Sequence, residues 1–362
     1  VHATEALPPF DRAMMDGFAV AAVDRGAWVP VVGEAAAGHP SAELVSSGRA
    51  VEVMTGAPCP EGTEAVVPVE VVERGKDGQI LLPPEVVAGS HLQRAGSLCA
   101  EGTRVLQAGD HLSPLALATL AALGRSTAAV LPRPAVAVVT TGDELLAPGD
   151  RPRPGGVRDS NGPMLAALAR AAGVAHVVAL HAHDTDDSLA EAFAEAAHAD
   201  VVVLSGGVSM GRYDVVPRAV EAAGFEAVFH KVTQKPGKPL LFAAAGPRLL
   251  FGLPGNPRSS HFCFCRYVAA AIFQMSGREA RRPVAGRLDG ELEVSSGRTL
   301  FLPVRADRRA GAEHLVRTFD ERGSADIYST ATANGYLRVE AGEHRIARGA
   351  LVSFDWMVGA DL

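Results

Sequence analysis

Residues 201–214, VVVLSGGVSMGRYD, constrain the fold more than any other stretch of the chain. Val201 to Leu204 form a short apolar run, the pattern of a buried strand. Ser205, Gly206, Gly207, Val208, Ser209 and Gly211 follow, with Asp214 just ahead of a helix-like pattern. A buried strand that ends in glycines and hydroxyls and then starts a helix leaves backbone N–H groups free and no side chain in the way. That arrangement suits an anion. The stretch is not a Walker loop, because no Lys-Ser/Thr pair follows the last glycine. It is not a dinucleotide fingerprint either, because the G-x-G-x-x-G spacing is missing.

Two later stretches read as companions, Lys235-Pro-Gly-Lys238-Pro239 and Gly252-Leu-Pro-Gly-Asn-Pro257. The three are expected to be loops of one pocket at the carboxyl ends of neighbouring strands, where open α/β sheets bind ligands. Residues 135–277 alternate strand and helix patterns. AVAVV leads into Thr140-Thr141-Gly142-Asp143-Glu144, then come a Pro/Gly-rich loop over 148–156, Asp159-Ser160-Asn161 and the helix PMLAALARAAG. VAHVVAL follows, then a helix opening near Asp186 with Leu189 and Phe193 on one face. After the central strand lie VVPRAVEAAG, FEAVFH, the lysine loop, PLLFA, RLLFG and a long helix after Pro257. Such alternation implies a parallel sheet covered on both faces.

The flanks have a different character. Residues 28–102 are short β-branched runs broken by Gly and Pro, the pattern of a small all-β domain. Asp16-Gly17 reads as a turn, and Thr55-Gly56-Ala57-Pro58 is sharp punctuation. SPLALATLAALG (113–124) reads as a connecting helix with Ser113 as N-cap, Pro114 at the first position and Gly124 as stop. Residues 283–362 return to short alternating segments, a terminal β-domain. A chain of 362 residues is too long for one core. The expected division is 1–10 with 103–132 as a connector, 11–102 as a small β-domain, 133–282 as the α/β domain and 283–362 as the C-terminal β-domain. The fold class is multidomain α/β plus β.

Composition narrows the function. A net charge of −7 and 5% aromatic residues speak against a nucleic-acid partner. No run reaches the roughly 18 apolar residues of a membrane helix, no secretory signal is visible, and four cysteines are not a disulfide framework. A cytoplasmic chain is expected, with Cys263 and Cys265 as core packing. Lys231, Lys235 and Lys238 crowd eight residues, and Pro236 and Pro239 stiffen that loop, so these cations are held ready for an anion. Asp143, Glu144, Asp184 and Asp214 fall after strands or at helix starts. A carboxylate beside a polyanion has a use if Mg²⁺ bridges the two; for Asp184 and Asp214 a helix N-cap is an equal reading. His181 and His183 alternate and show no ligand spacing, so zinc is not expected.

With these residues collected, the chain resembles the MoeA family, which includes the E domain of gephyrin. The matching pieces are PPFDRAMMDGFAV (8–20), VMTGAPCPEGTEAVV (53–67), TTGDEL (140–145), RDSN (158–161), SGGVSMGRYD (205–214), QKPGKP (234–239) and GLPGNP (252–257), in family order across most of the chain. The resemblance implies a central three-layer α/β domain of the molybdopterin-binding type, an elongated connector and flanking β-domains. It implies a homodimer whose cleft lies between the α/β domain of one subunit and the β-domain of its partner. The implied activity is that of a molybdopterin molybdenumtransferase, with adenylylated molybdopterin and molybdate as substrates, Mg²⁺ dependence and release of AMP. An adenylyltransferase is the implied protein partner.

The resemblance also assigns residues. Asp16 and Thr55 would act from the small β-domain, and Glu144, Asp184, Asp214, Lys231 and Lys235 from the α/β domain, with Asp214 and Glu144 at the metal. Thr141, Gly142, Asp143, Ser160 and Asn161 would line the cofactor site beside the 205–211 loop. So would Pro236, Gly237 and Lys238, then Pro254, Gly255, Asn256 and Pro257, and Ser329 from the C-terminal domain. The chain departs from the family pattern where Ser97 and Leu98 stand for Glu-Asp, and where Arg258-Ser-Ser stands for Val-Ser-Ala. Two other readings stay open. One is molybdopterin adenylyltransferase, which shares the α/β domain but lacks the MDG and MTGAP segments. The other is a cofactor-binding scaffold without turnover, to which the missing Glu-Asp points.

Overall fold

The computed structural model describes residues 1–207, 215–308, 313–320, 323 and 325–360. Backbone contacts divide the chain into two units, Val1–Ala129 and Val130–Leu362.

The first unit holds a six-stranded sheet in the order Ala65–Pro68, Gly17–Val20, Ala50–Val53, Trp28–Ala35, Gln79–Leu81, Glu73–Arg74. Side chains alternate across it: Phe18, Val20, Val29 and Ile80 pack on one face, and Ala19, Val51, Val53 and Val66 on the other. Gly17 is the first residue of a strand, where a Cβ would stand 2.1 Å from the Val67 carbonyl oxygen, so the expected turn leads directly into the sheet. The connecting helix forms as expected over Pro114–Ala122, with Ser113 Oγ accepting from Ala116 N–H at 3.2 Å. Isolated bridges from His2 to Arg104 and from Leu7 to Cys99 lay the amino-terminal segment beside residues 99–104.

In the second unit the central sheet comprises β1 (Val136–Thr141), β2 (Val177–Ala182), β3 (Val201–Ser205), β4 (Glu226–His230), β5 (Leu241–Ala245) and β6 (Arg248–Leu253), in spatial order β2-β1-β3-β6-β5-β4. The first four in that order are parallel. β5 and β4 each run antiparallel to the preceding neighbour, which corrects the expected all-parallel sheet. The reason is connection length. Only Gly246 and Pro247 separate β5 from β6, whereas a parallel crossover needs a dozen or more residues.

Helices α1 (Asn161–Ala171), α2 (Asp186–Glu195), α3 (Val216–Ala222) and α4 (Pro257–Cys263) cover the sheet. From α4 the chain runs through a wider turn at Phe264–Val268 into α5 (Ala269–Met275). Strand β3 is buried along its whole length and divides the layers. Val201 and Val203 pack with Leu165 and Phe262 on one side, Val202 and Leu204 with Leu189, Phe193 and Val220 on the other. Each fully buried Val or Leu contributes about 1.5–3 kcal/mol relative to an exposed one. The rings of His181 and His183, two residues apart on β2 and beyond it, meet at 5.5 Å and so share a side.

The carboxyl-terminal strands Val284–Leu288, Thr299–Arg308, His314–Thr318, Gly335–Val339 and Leu351–Trp356 close into a barrel, since Thr299–Arg308 pairs with both His314–Thr318 and Gly335–Val339. It has a core of its own, while Phe301 and Tyr336 from its strands join the core of the sheet. Phe262 meets Phe301 at 4.5 Å and Tyr336 at 5.1 Å between ring centroids. Beside them His261 Nδ1 lies 2.7 Å from Tyr336 Oη, and burial pushes the imidazole pKa down to about 4. The unfolded chain takes up that proton near 6.5 and the folded chain only near 4, so stability falls as pH drops through this window. His261→Asn is expected to flatten that acid slope, read as the thermal midpoint at a series of pH values; an unchanged slope would place the acid sensitivity elsewhere.

Candidate active site

Strand register sets the geometry. Ser205 of β3 is level with Thr140 of β1 and Leu253 of β6, and Thr141 with Ala182 of β2, so the four parallel strands end at one edge. The chain passes from β1 outward to β2 and returns across β1 to β3. A crevice opens at such a reversal, between the ends of β1 and β3. Because β4 is antiparallel to β5 and β5 to β6, His230 and Leu241 also lie at this edge. All three loops singled out in the sequence therefore leave the same end of one sheet.

The glycine loop meets its neighbours closely. Gly206 has φ +106°, and a Cβ there would stand 2.4 Å from the Thr141 carbonyl oxygen. Gly207 has φ +61° and leaves no room before Val216. Asn161 ties the loops together. Its Nδ2 donates to Ser205 Oγ at 2.9 Å and to the Gly255 carbonyl at 2.9 Å. The Gly255 oxygen can only accept, which fixes the orientation of the amide. Asn161 Oδ1 is then a buried acceptor with no partner among the described residues. Ser260, fully buried, donates to the Pro254 carbonyl and lies 3.5 Å from Ser205 Oγ. Pro257 opens α4 directly after Asn256, and Ser160 stands immediately before α1. Val208, Ser209, Gly211 and Asp214 lie outside the described residues.

Acidic side chains tie the loops after β1 and β2. Asp184 is not a helix cap. That place is taken by Thr185, whose Oγ1 accepts from Ser188 N–H at 3.3 Å. Asp184 instead accepts from Thr141 Oγ1 at 2.6 Å and from Asp143 N–H at 3.4 Å. Asp143 sits 2.9 Å from His183 Nδ1. That hydrogen bond, with the Asp184 N–H, holds its carboxyl below the usual carboxylate range. The Glu144 carboxylate folds over Gly142, where a Cβ would lie 2.5 Å from Oε2.

The lysine loop is anchored by its uncharged residues. Pro236 and Gly237 are buried, and a Cβ on Gly237 would meet Cys263 Sγ at 2.4 Å. Gln234–Lys235 pairs with Thr299–Leu300 of the barrel. Lys231, Lys235 and Lys238 are all exposed, and none has an ion pair among the described residues. Lys235, Pro236, Arg258, Ser295 and Phe301 line a cleft of about 260 Å³.

One expected residue of the second unit has no hydrogen bond to this cluster among the described residues. Ser329 lies in the loop before Gly335–Val339, where its N–H and Oγ donate to the Asp326 carboxylate at 3.0 and 2.6 Å. Asp16 and Thr55 belong to the first unit. Thr55 N–H and Oγ1 donate to Asp16 Oδ1 at 2.6 and 2.7 Å, which holds that carboxyl below its ordinary range. Three participants escaped sequence reasoning as site residues: Asp159, which accepts from Thr140 Oγ1 and Gly162 N–H at 2.9 Å each, His183 and Ser260. Asp159 had a signal, an acid just ahead of a helix, whereas Ser260 is one hydroxyl inside a helix and had none.

Residues 1–124 match the family described as MoeA N-terminal region (domain I and II), residues 137–274 the probable molybdopterin binding domain, and residues 285–355 the MoeA C-terminal region (domain IV). Molybdopterin molybdenumtransferase 2 of Mycobacterium tuberculosis is 33% identical, over 96% of this chain and 89% of that protein. Molybdopterin molybdenumtransferase of Staphylococcus aureus is 32% identical, over 97% and 86%. A crystal structure of the molybdopterin biosynthesis MoeA protein from Pyrococcus horikoshii superposes with a TM-score of 0.82 at 29% identity, covering 98% of this chain and 90% of that one.

Proposed function

This chain belongs to the MoeA family, and we propose that it works as a molybdopterin molybdenumtransferase, moving molybdenum from molybdate onto adenylylated molybdopterin with release of AMP. The observation that carries the reading is the Asn161 bridge to Ser205 and Gly255. It draws segments far apart in the chain into one cradle at the β1/β3 crevice.

The chemistry follows from charge and position. Gly206 and Gly207 let a phosphate approach the backbone closely, because neither carries a side chain. Lys231, Lys235 and Lys238 neutralise the remaining negative charge of phosphate and molybdate from a loop in which Gln234, Pro236 and Gly237 are buried. The pterin and the oxyanion are thereby held in one orientation, which converts an encounter in solution into a reaction within one assembly. Asp16, kept ionised by Thr55, and Ser329 contribute from their own parts of the chain.

The residues present fit Mg²⁺. No group of three metal-ligating side chains occurs among the described residues, and Mg²⁺ is usually held by only one or two carboxylates plus substrate phosphates. Glu144 would hold it, with Asp214 from outside the described residues; when bound, the ion neutralises charge on the phosphoanhydride and eases departure of AMP. The reading includes a homodimer in the cytoplasm that receives its substrate from an adenylyltransferase. No helix among the described residues is long and apolar enough to cross a membrane.

The test is to mix the purified protein with adenylylated molybdopterin, Mg²⁺ and molybdate, and to follow AMP and active cofactor together. The two are expected to rise in step. Net adenylylation of molybdopterin from ATP would reassign the chain to the preceding reaction. Pterin binding without AMP release would make it a scaffold.

A further inference from the structure

The turn at Asp143–Glu144 is fixed by a residue from a stretch that has no part in the site so far. Arg153 lies in the Pro/Gly-rich segment 148–156, and its Nη2 donates to the Asp143 carbonyl at 2.6 Å. That carbonyl belongs to the peptide leading into Glu144. A peptide unit is planar, so holding its oxygen also holds the Glu144 nitrogen. The peptide on the other side of Glu144 is held as well, since Val157 N–H donates to the Glu144 carbonyl at 2.8 Å. Both donors come from one small lobe. Leu145–Leu146 pairs in parallel with Val157–Arg158, Arg158 Nε donates to the Pro148 carbonyl at 3.0 Å, and Asp150 accepts from Ala147 N–H at 2.9 Å.

We propose that Arg153 is a positioning residue for the reaction: its guanidinium sets the peptide that orients the Glu144 carboxylate. The inference rests on the reading that Glu144 holds Mg²⁺. A guanidinium gives a charge-assisted bond in a planar, pre-organised geometry. A lysine at 153 offers a point charge on a flexible stem and replaces it poorly.

The experiment compares Arg153→Met and Glu144→Gln with the unaltered full chain. In the unliganded protein, amide exchange is read at Leu145 and Val157, whose N–H groups donate to the Gly142 and Glu144 carbonyls. With substrates, the Mg²⁺ concentration for half-maximal AMP release is read against KM for adenylylated molybdopterin. Arg153→Met is expected to speed exchange at both amides and to raise half-saturating Mg²⁺ by about tenfold, the scale of one charge-assisted hydrogen bond, with the pterin KM within about twofold. Added guanidinium ion should restore part of the loss. If Arg153→Met leaves the Mg²⁺ requirement unchanged while Glu144→Gln raises it, the inference is overturned and the reading of Glu144 stands. If neither variant moves it, the metal assignment itself fails. A parallel rise in pterin KM reduces Arg153 to a structural role and also overturns the inference.

Discussion

Replacing Gly206 by alanine is expected to lower kcat/KM for adenylylated molybdopterin by about a hundredfold or more, with the chain still folded. Two effects combine. The backbone at φ +106° is one that side-chain-bearing residues rarely adopt, and holding it costs about 1–3 kcal/mol. The added Cβ would also stand 2.4 Å from the Thr141 carbonyl oxygen, against an ordinary contact of 3.4 Å or more. That oxygen is backbone at the end of a buried strand and cannot swing aside like the tip of a side chain. The loops after β1 and β3 must therefore part by about 1 Å, and a misplacement of that size costs on the order of a hundredfold in rate. Gly224→Ala is the control. It shares the positive φ but has nothing within 4 Å, so it should lose some stability and keep its kcat/KM. Steady-state AMP release for the two variants decides the matter; near-normal turnover in Gly206→Ala would remove the β1/β3 crevice from the mechanism.

Asn161→Leu is expected to lose about 3 kcal/mol of stability, the sum of two hydrogen bonds removed and an acceptor left unpaired. Leucine is close in size, so the loss is one of polarity rather than volume. Ser205 Oγ keeps Ser260 within 3.5 Å, but the Gly255 carbonyl loses its side-chain donor. Asn161→Asp should fare worse despite its closer shape, because it turns a carboxylate oxygen towards that carbonyl in a buried setting. Denaturant unfolding measures both, and an unchanged m-value confirms that the folded and unfolded reference states are preserved. A leucine variant with the original midpoint would show that the three loops hold together without the amide.

The parts of this molecule written in local pattern were legible before any coordinates. The apolar run 201–204, the Leu189–Phe193 face and the Ser113-Pro114 helix start each rest on periodicity or capping within a few residues, and each stands where expected. The antiparallel edge was misread because PLLFA and RLLFG look alike whichever way they run; only the two-residue link between them carried the direction. Within the site, loop glycines and prolines advertised themselves by composition. Asp184 was ambiguous because an acid before a helix serves equally as cap or as partner to a distant hydroxyl. Thr141, 43 residues away, decided it. Ser260 meets Ser205 across the fold, and Arg153 reaches back ten residues to the Asp143 carbonyl; nothing in their neighbours along the chain marks either contact.

The pairing of Gln234–Lys235 with Thr299–Leu300 has a consequence for how this protein can change. Arg298 Nη1 reinforces it by donating to the Gln234 carbonyl at 3.1 Å, and Tyr267 Oη donates to the Gln234 side chain. The terminal barrel is thus not an appendage that could be exchanged for another module. Trimming or grafting it would unhook the segment that presents Lys235 more than sixty residues upstream, even with every strand of the central sheet intact. Any descendant that discards this domain has to invent another splint for its lysines.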